Sequence, residues 1–348
     1  MSLGNGAAAR RRRVTIVDVA KHAGVSTASA SKVLRNAYGV SEAMRSRVQA
    51  SMEELGYRPY GPARGMRGRT YTVGVVVSDI DNPFFSLLTD GLSSVIRPRS
   101  YELFVSPGGF QPETQRAVVE AMIDHQMDGL VLVAPLLSNA ELERISLDIP
   151  LMVVGHHSHS DLFDSVAGDD ELAAGMVVDH LVALGHRRIG FVMHGKGRND
   201  ESRPEMNRLL GFRNAMERHG LGDGAVVIDC EWSFQGGRDA VEQFDALGEP
   251  PTAVHAGADV VALGMMNELW RTGRSVPEVY SLVGHDNSRT SSLGPIRLTS
   301  VDQAGREMGE RVGRLLLERF EGRDEARHEV LEPRLIVRDT TAAPPKKA

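Results

Sequence analysis

From Tyr71 onward, short runs of Val, Ile and Leu alternate with helix-length segments almost without interruption. VGVVV (73–77) precedes a helix near 84–97, YELFVS (101–106) a helix near 112–126, and GLVLVAP (129–135) a short helix near 138–147. LMVVG (151–155), RIGFVM (188–193), AVVIDC (225–230), TAVHAG (252–257) and SLVGHD (281–286) continue the pattern, with helices between them. Continuous apolar strands separated by helices predict parallel sheets covered on both faces. About 270 residues of this pattern exceed what one small sheet organises. Two doubly wound lobes with a cleft between them fit, and ligands of such sheets bind beyond the carboxyl ends of the strands.

The first 70 residues are of a different kind. Residues 1–69 carry 13 Lys+Arg against 4 Asp+Glu, while the whole 348-residue chain has 40 against 46 and a net charge of −6. A basic head of +9 therefore sits on an acidic body of −15, the balance of a nucleic-acid-binding module joined to a separate globular unit. Ile16, Val19, Ala20 and Ala23 recur at helical spacing behind a candidate N-cap, Thr15, and Gly24 ends that helix. Ser26 can cap a second helix whose inward positions are Ala30, Val33 and Leu34, and a third follows Ser41 with Met44, Val48, Met52 and Leu55. Two short helices joined by a tight glycine turn make a helix-turn-helix. The second helix turns Thr27, Ala28, Ser29, Ser31 and Lys32 outward. These side chains are short apart from one cation able to reach guanine O6/N7 in a major groove. Arg10–Arg13 read as a flexible arm suited to phosphates, and 57–71, rich in Arg, Gly and Pro, as a linker.

Other functional classes find no support in the residues. The single Cys230 excludes an intrachain disulfide and a cysteine-based zinc cluster. His156, His157 and His159 lie close together without a carboxylate scaffold and read as solvated loop residues, so no metal and no cofactor is expected. The longest apolar run, LVLVAPLL (130–137), is too short to span a bilayer, and the segment after Arg13 is too polar for a secretion signal. A cytoplasmic location is expected. GxSxG, GxxxxGK[ST], HExxH and post-strand GxGxxG motifs are all missing from the sequence, which speaks against an enzyme.

VTIVDVAKHAGVSTASASKVLRN followed by VSEAMRSRVQASMEELGYRP resembles the DNA-binding head of the lactose/galactose repressor family. VGVVVSDIDNPFF, HLVALGHRRIGFV, SLVGHD and RLIVRDTTAAP resemble that family's successive effector-domain signatures. The resemblance implies a bacterial transcription regulator, most simply a repressor of a catabolic or transport operon. It would act as a homodimer on a palindromic operator of double-stranded DNA, under control of a small-molecule effector, a sugar or sugar derivative. Its fold would be a small all-α helix-turn-helix head plus a periplasmic-binding-protein-like α/β body. The implied domains are an arm at 1–13, a head at 14–58, a hinge at 59–70 and an effector-binding and dimerisation body at 71–340. Within the body the N-lobe would comprise about 71–169 and 300–340, and the C-lobe about 170–299.

Position by position, the resemblance places Thr27, Ala28 and Lys32 on bases and Thr15, Ser26, Ser29 and Ser31 near phosphates. Arg64 extends the positive charge through the hinge, and Met66 stands where the family wedges a leucine into the minor groove. In the body it implies effector contacts from Asp79, Asn82, Phe84, Phe85, Arg208, Trp232, Asp286 and Gln303. Core packing is the competing role for one of the two phenylalanines. Two departures stand out: Ala258 replaces an expected Asn or Asp, and Gly155-His156 replaces an expected acidic residue.

Overall fold

The computed structural model describes residues 14–34, 38–57, 69–195 and 202–345, divided into two compact units at Thr70/Tyr71. In the first unit, α1 (Ile16–His22), α2 (Thr27–Leu34) and α3 (Glu42–Glu54) enclose a minimal core of Val19, Ala20, Ala23, Ala30, Val33 and Val48. Thr15 caps α1 through a capping box: its Oγ1 accepts from Asp18 N, and the Asp18 carboxylate accepts from Thr15 N at 2.8 Å. Ser41 accepts from Met44 N at the start of α3. Gly24 turns the chain between α1 and α2 with φ +65°, a conformation open to glycine at no steric cost. Leu34, an inward position by periodicity, is half-buried at the end of α2. The arm and the hinge from 58 to 68, with Arg64 and Met66, lie outside the described residues.

The second unit is built on two six-stranded sheets. The strands are β1 (Thr72–Val77), β2 (Glu102–Pro107), β3 (Gly129–Val133), β4 (Leu151–Val154), β5 (Asp164–Gly168), β6 (Ile189–Met193), β7 (Ala225–Asp229), β8 (Ala253–Ala256), β9 (Ser281–His285), β10 (Thr299–Asp302), β11 (His328–Leu331) and β12 (Arg334–Ile336). Between them run α4 (Phe84–Ile96), α5 (Pro112–Asp124), α6 (Asn139–Asp148), α7 (Asp170–Ala183), α8 (Pro204–Arg218), α9 (Phe234–Asp245), α10 (Asp259–Arg271) and α11 (Gly305–Phe320). The first sheet, in the order β11-β5-β4-β3-β1-β2, is wholly parallel. In the second, ordered β12-β10-β9-β8-β6-β7, β12 alone runs antiparallel, against β10.

Alternation along the strands makes a core on each face. Val73, Val75 and Val77 pack with Leu88, Leu92 and Phe320 on one side of the first sheet, while Val76 joins Val119, Leu132 and Val153 on the other. The chain passes between lobes after β5, after β10 and after β11. This corrects the expectation that 300–340 belongs to the N-lobe. Only α11 and β11 return there; β10 and β12 pair in the second sheet, and the segment beyond them stays with it, Leu282 N donating to Thr340 O at 2.8 Å. Among the described residues no helix is long and apolar enough to cross a membrane.

Candidate functional site: a cleft at the strand ends

A cleft opens between the carboxyl ends of the two sheets. Ser78 follows β1, Phe110 β2, Ala134 β3 and Gly155 β4 on one wall; His194, Trp232, Ala258 and Asp286 follow β6, β7, β8 and β9 on the other. Loops leaving neighbouring parallel strands diverge over the sheet edge, which is why the cleft forms there.

The residues singled out from sequence divide on closer view. Asn82, Phe84, Phe85, Arg208, Trp232, Asp286 and Gln303 line the cleft. Asp79 does not: its Oδ1 accepts from Asp81 N and Asn82 N at 2.8 and 2.9 Å, so it shapes the loop. Asn82 Oδ1 likewise accepts from Phe84 N at 3.0 Å, opening α4. Phe84 is the phenylalanine of the core, 6% exposed and packed in the first-lobe cluster, whereas Phe85 is half-buried against it.

Arg208 projects from the first turns of α8 into the second-lobe wall and is only 4% exposed. Its Nε donates to Asp170 Oδ1 at 2.7 Å, Nη1 to the Gly257 carbonyl at 2.6 Å and Nη2 to Gln303 Oε1 at 3.5 Å. The guanidinium lies 4.9 Å from the Trp232 ring centroid, a cation–π contact. Gly257 has no room for a side chain, since a Cβ there would fall 2.6 Å from the indole. Much of the donor capacity of Arg208 is thus committed within the protein.

Asp286 sits at φ +125°, a strained backbone for a residue with a side chain, of the kind that concentrates at functional positions. Its Oδ1 accepts from Gln303 Nε2, and Oδ2 is buried without a hydrogen-bond partner. Burial, with the nearby charge of Asp259, holds this carboxyl well above the usual carboxylate range against the pull of Arg208. Burial likewise pushes Asp259 up to about 6, opposed by donors from Ser300 Oγ and Ser288 N. The Trp232 Nε1–H is also buried without a partner. An acidic group and an indole N–H facing a largely apolar cleft suit a ligand with a few well-placed polar atoms.

Sequence reading missed Phe110, Gln115, His194, and the buried ion pair of Arg203 with Glu205 in the same cleft. Phe110 and His194 could have been found from their positions immediately after strands; Gln115 lies inside α5 and had no signal. Its Oε1 accepts from Leu136 N at 2.7 Å, tying two wall segments together. Of the three neighbouring histidines, His159 is exposed as expected, whereas His156 and His157 depart from a solvated loop. His156 is 1% exposed and His157 donates to Asp170, because the loop after β4 folds inward over the first turn of α7. Among the described residues no cluster could hold a metal ion.

In the head, Thr27, Ala28 and Lys32 are exposed on α2, with Ser29 and Ser31 half-buried beside them. Residues 27, 28, 31 and 32 share one face at helical spacing. Ser26 caps this helix, accepting from Ser29 N at 3.1 Å, and its hydroxyl lies 2.9 Å from that of Ser29.

A family model for bacterial regulatory proteins, lacI family, matches residues 15–60, and one for a periplasmic binding protein-like domain matches residues 178–341. The HTH-type transcriptional repressor CytR of Escherichia coli is 32% identical over 95% of this chain and 97% of its own. The chain belongs to the lacI family of bacterial regulatory proteins. Catabolite control protein A of Priestia megaterium, another relative, is 30% identical over 87% of this chain and 91% of its own. Among solved structures, the lac repressor dimer bound to operator and the anti-inducer ONPF is similar with TM-score 0.78 and 26% identity, covering 95% of this chain and all of that one. A LacI family regulator from Enterococcus faecium with bound ribose is similar with TM-score 0.67 and 26% identity, covering 78% of this chain and 99% of that one. As a lacI-family member the chain is a DNA-binding transcriptional regulator with a ligand-binding body, not an enzyme.

Proposed function

We propose that the chain represses transcription in the cytoplasm as a homodimer on a palindromic operator, and that a small molecule in the cleft sets its DNA affinity. The lac repressor, to which it is similar, is a dimer on operator DNA in its solved complex. A two-fold protein reads a two-fold site. Thr27, Ala28 and Lys32 are the base-reading positions, with Thr15, Ser26, Ser29 and Ser31 toward phosphates. Arg64 and Met66 complete the contact as hinge positions.

The observation that carries the effector assignment is the unpartnered Asp286 Oδ2, buried in a cleft walled by the strand ends of both lobes. Arg208, Trp232, Gln303, Asn82 and Phe85 form the rest of the recognition surface. Asp79 supports it by shaping the loop of Asn82. Ala258 presents a methyl group, 2% exposed, which favours a ligand less hydroxylated on that side than a simple hexose. A thermal-shift panel of sugars, sugar phosphates and nucleosides tests this, since a compound that binds only the native state raises its melting temperature by mass action. A hit on the parent that vanishes in Asp286→Ala supports the site; an equal shift in both places the ligand elsewhere.

A further inference from the structure

Asp170 holds Arg208 together with Gly257 and Gln303, and Asp170 itself has a second holder. The Asp170 carboxylate is 2% exposed, and a charge so deep needs donors on both oxygens. Oδ1 takes Arg208 Nε; Oδ2 takes His157 Nε2 at 2.9 Å. His157 belongs to the loop after β4 in the first lobe, whereas Asp170 opens α7 in the second. The backbone of the same histidine makes a second crossing: its N–H donates to Ser202 O at 2.7 Å, on the lead-in to α8, the helix that carries Arg208. One first-lobe residue therefore grips the second lobe twice, both times on the parts that place the cleft arginine.

We infer that His157 is a positioning residue for the cleft, aiming Arg208 through Asp170 only while the two lobes stand together. If the lobes part, the loop after β4 withdraws and Asp170 Oδ2 loses its donor; Arg208 keeps its bond to the Gly257 carbonyl but loses the fixed carboxylate that orients it over Trp232. Lobe closure and a formed arginine site are then one equilibrium, and a ligand that uses Arg208 favours the closed body. The regulatory meaning rests on the cleft being the effector site; the positioning itself does not.

The test needs no ligand, so its outcome is independent of the effector assignment. The chain has two tryptophans, and Trp270→Phe leaves Trp232 as the sole reporter of the guanidinium beside it. In the full-length chain with that background, emission and acrylamide quenching of Trp232 are measured for His157→Ala, His157→Gln, Arg208→Ala and the His157→Ala/Arg208→Ala pair, with far-UV circular dichroism as the folding control. His157→Ala is expected to move Trp232 to the quenching level of Arg208→Ala, and the double variant to go no further. His157→Gln, which keeps a side-chain N–H, is expected to stay near the parent. If His157→Ala does not fold, His157→Asn, whose donor is too short to reach, replaces it with the same expected shift. Parent-like quenching in His157→Ala, a shift in Gln as large as in Ala, or an equal His157→Ala shift in the absence of Arg208 would each overturn the inference.

Discussion

The imidazoles of His255 and His285 lie stacked in the second lobe, ring centroids 5.8 Å apart and 19° from parallel, at the ends of adjacent strands and almost wholly buried. Burial, reinforced by the charge of Arg208, lowers His255 from 6.5 to about 3 and holds His285 well below its ordinary value. Both rings are therefore neutral in the folded body. The unfolded chain takes up protons below about 6.5 that the folded one refuses, so each imidazole removes stability as pH falls from there toward its folded value. The slope is up to about 1.4 kcal/mol per pH unit for each group. Asp259 and Asp286, whose carboxyls are raised, titrate in the opposite sense. The difference between parent and His255→Phe isolates the ring: urea unfolding at pH 7.5 and 5.5 should show the parent losing more stability on acidification than the variant. Equal losses would mean that His255 is protonated in the folded state.

Asp164 is a second buried charge with a structural role. It is 0% exposed and pairs with Arg319 Nη2 at 3.0 Å and Arg323 Nη2 at 2.6 Å, while Arg327 N donates to it at 2.7 Å. Burial acts to raise its pKa, but the two arginines win and hold it below the usual range. Removing the carboxylate takes the shared anion from two nearly buried guanidiniums where α11 and β11 join the first sheet, leaving Arg323 with Glu318 and Arg319 with the Asp324 carbonyl. Asp164→Ala should cost about 3–5 kcal/mol in chemical unfolding, and Asp164→Asn less, because it keeps acceptor capacity.

Lys32 is exposed on α2 and contributes nothing to the head core. Lys32→Ala should leave the head folded and lower affinity for a selected operator more than for random DNA, by about 1–3 kcal/mol if it reads a guanine. Fluorescence anisotropy against both duplexes distinguishes this from a phosphate contact, which would weaken the two alike.

The long apolar strands announced the two-lobed body because a strand buried on both faces leaves a run of Val, Ile and Leu. Four strands, β5, β10, β11 and β12, gave no such signal. β5 begins with the charged Asp164, made tolerable there only by arginines more than 150 residues away. β12 is three residues long and reverses direction, which hid the return of the chain to the second sheet and misplaced the lobe boundary. Of the cleft, Arg208 and Asp286 were legible through the resemblance of their surroundings to a known family. The partners that commit Arg208 were not, since Asp170 and Gly257 come from other elements and meet it only through the fold. The inward turn of His157 had the same cause: spacing alone makes three loop histidines look solvated.

Occupancy of the cleft is proposed to control the DNA-binding head. The most direct test is the operator affinity of the full-length chain, by anisotropy, with and without a compound that stabilises it, for parent and Asp286→Ala. The parent should show a ligand-dependent change of about 5–150-fold, the span of typical allosteric coupling, and Asp286→Ala an unaltered ligand-free affinity with no ligand response. The same response in both proteins would contradict control through the cleft.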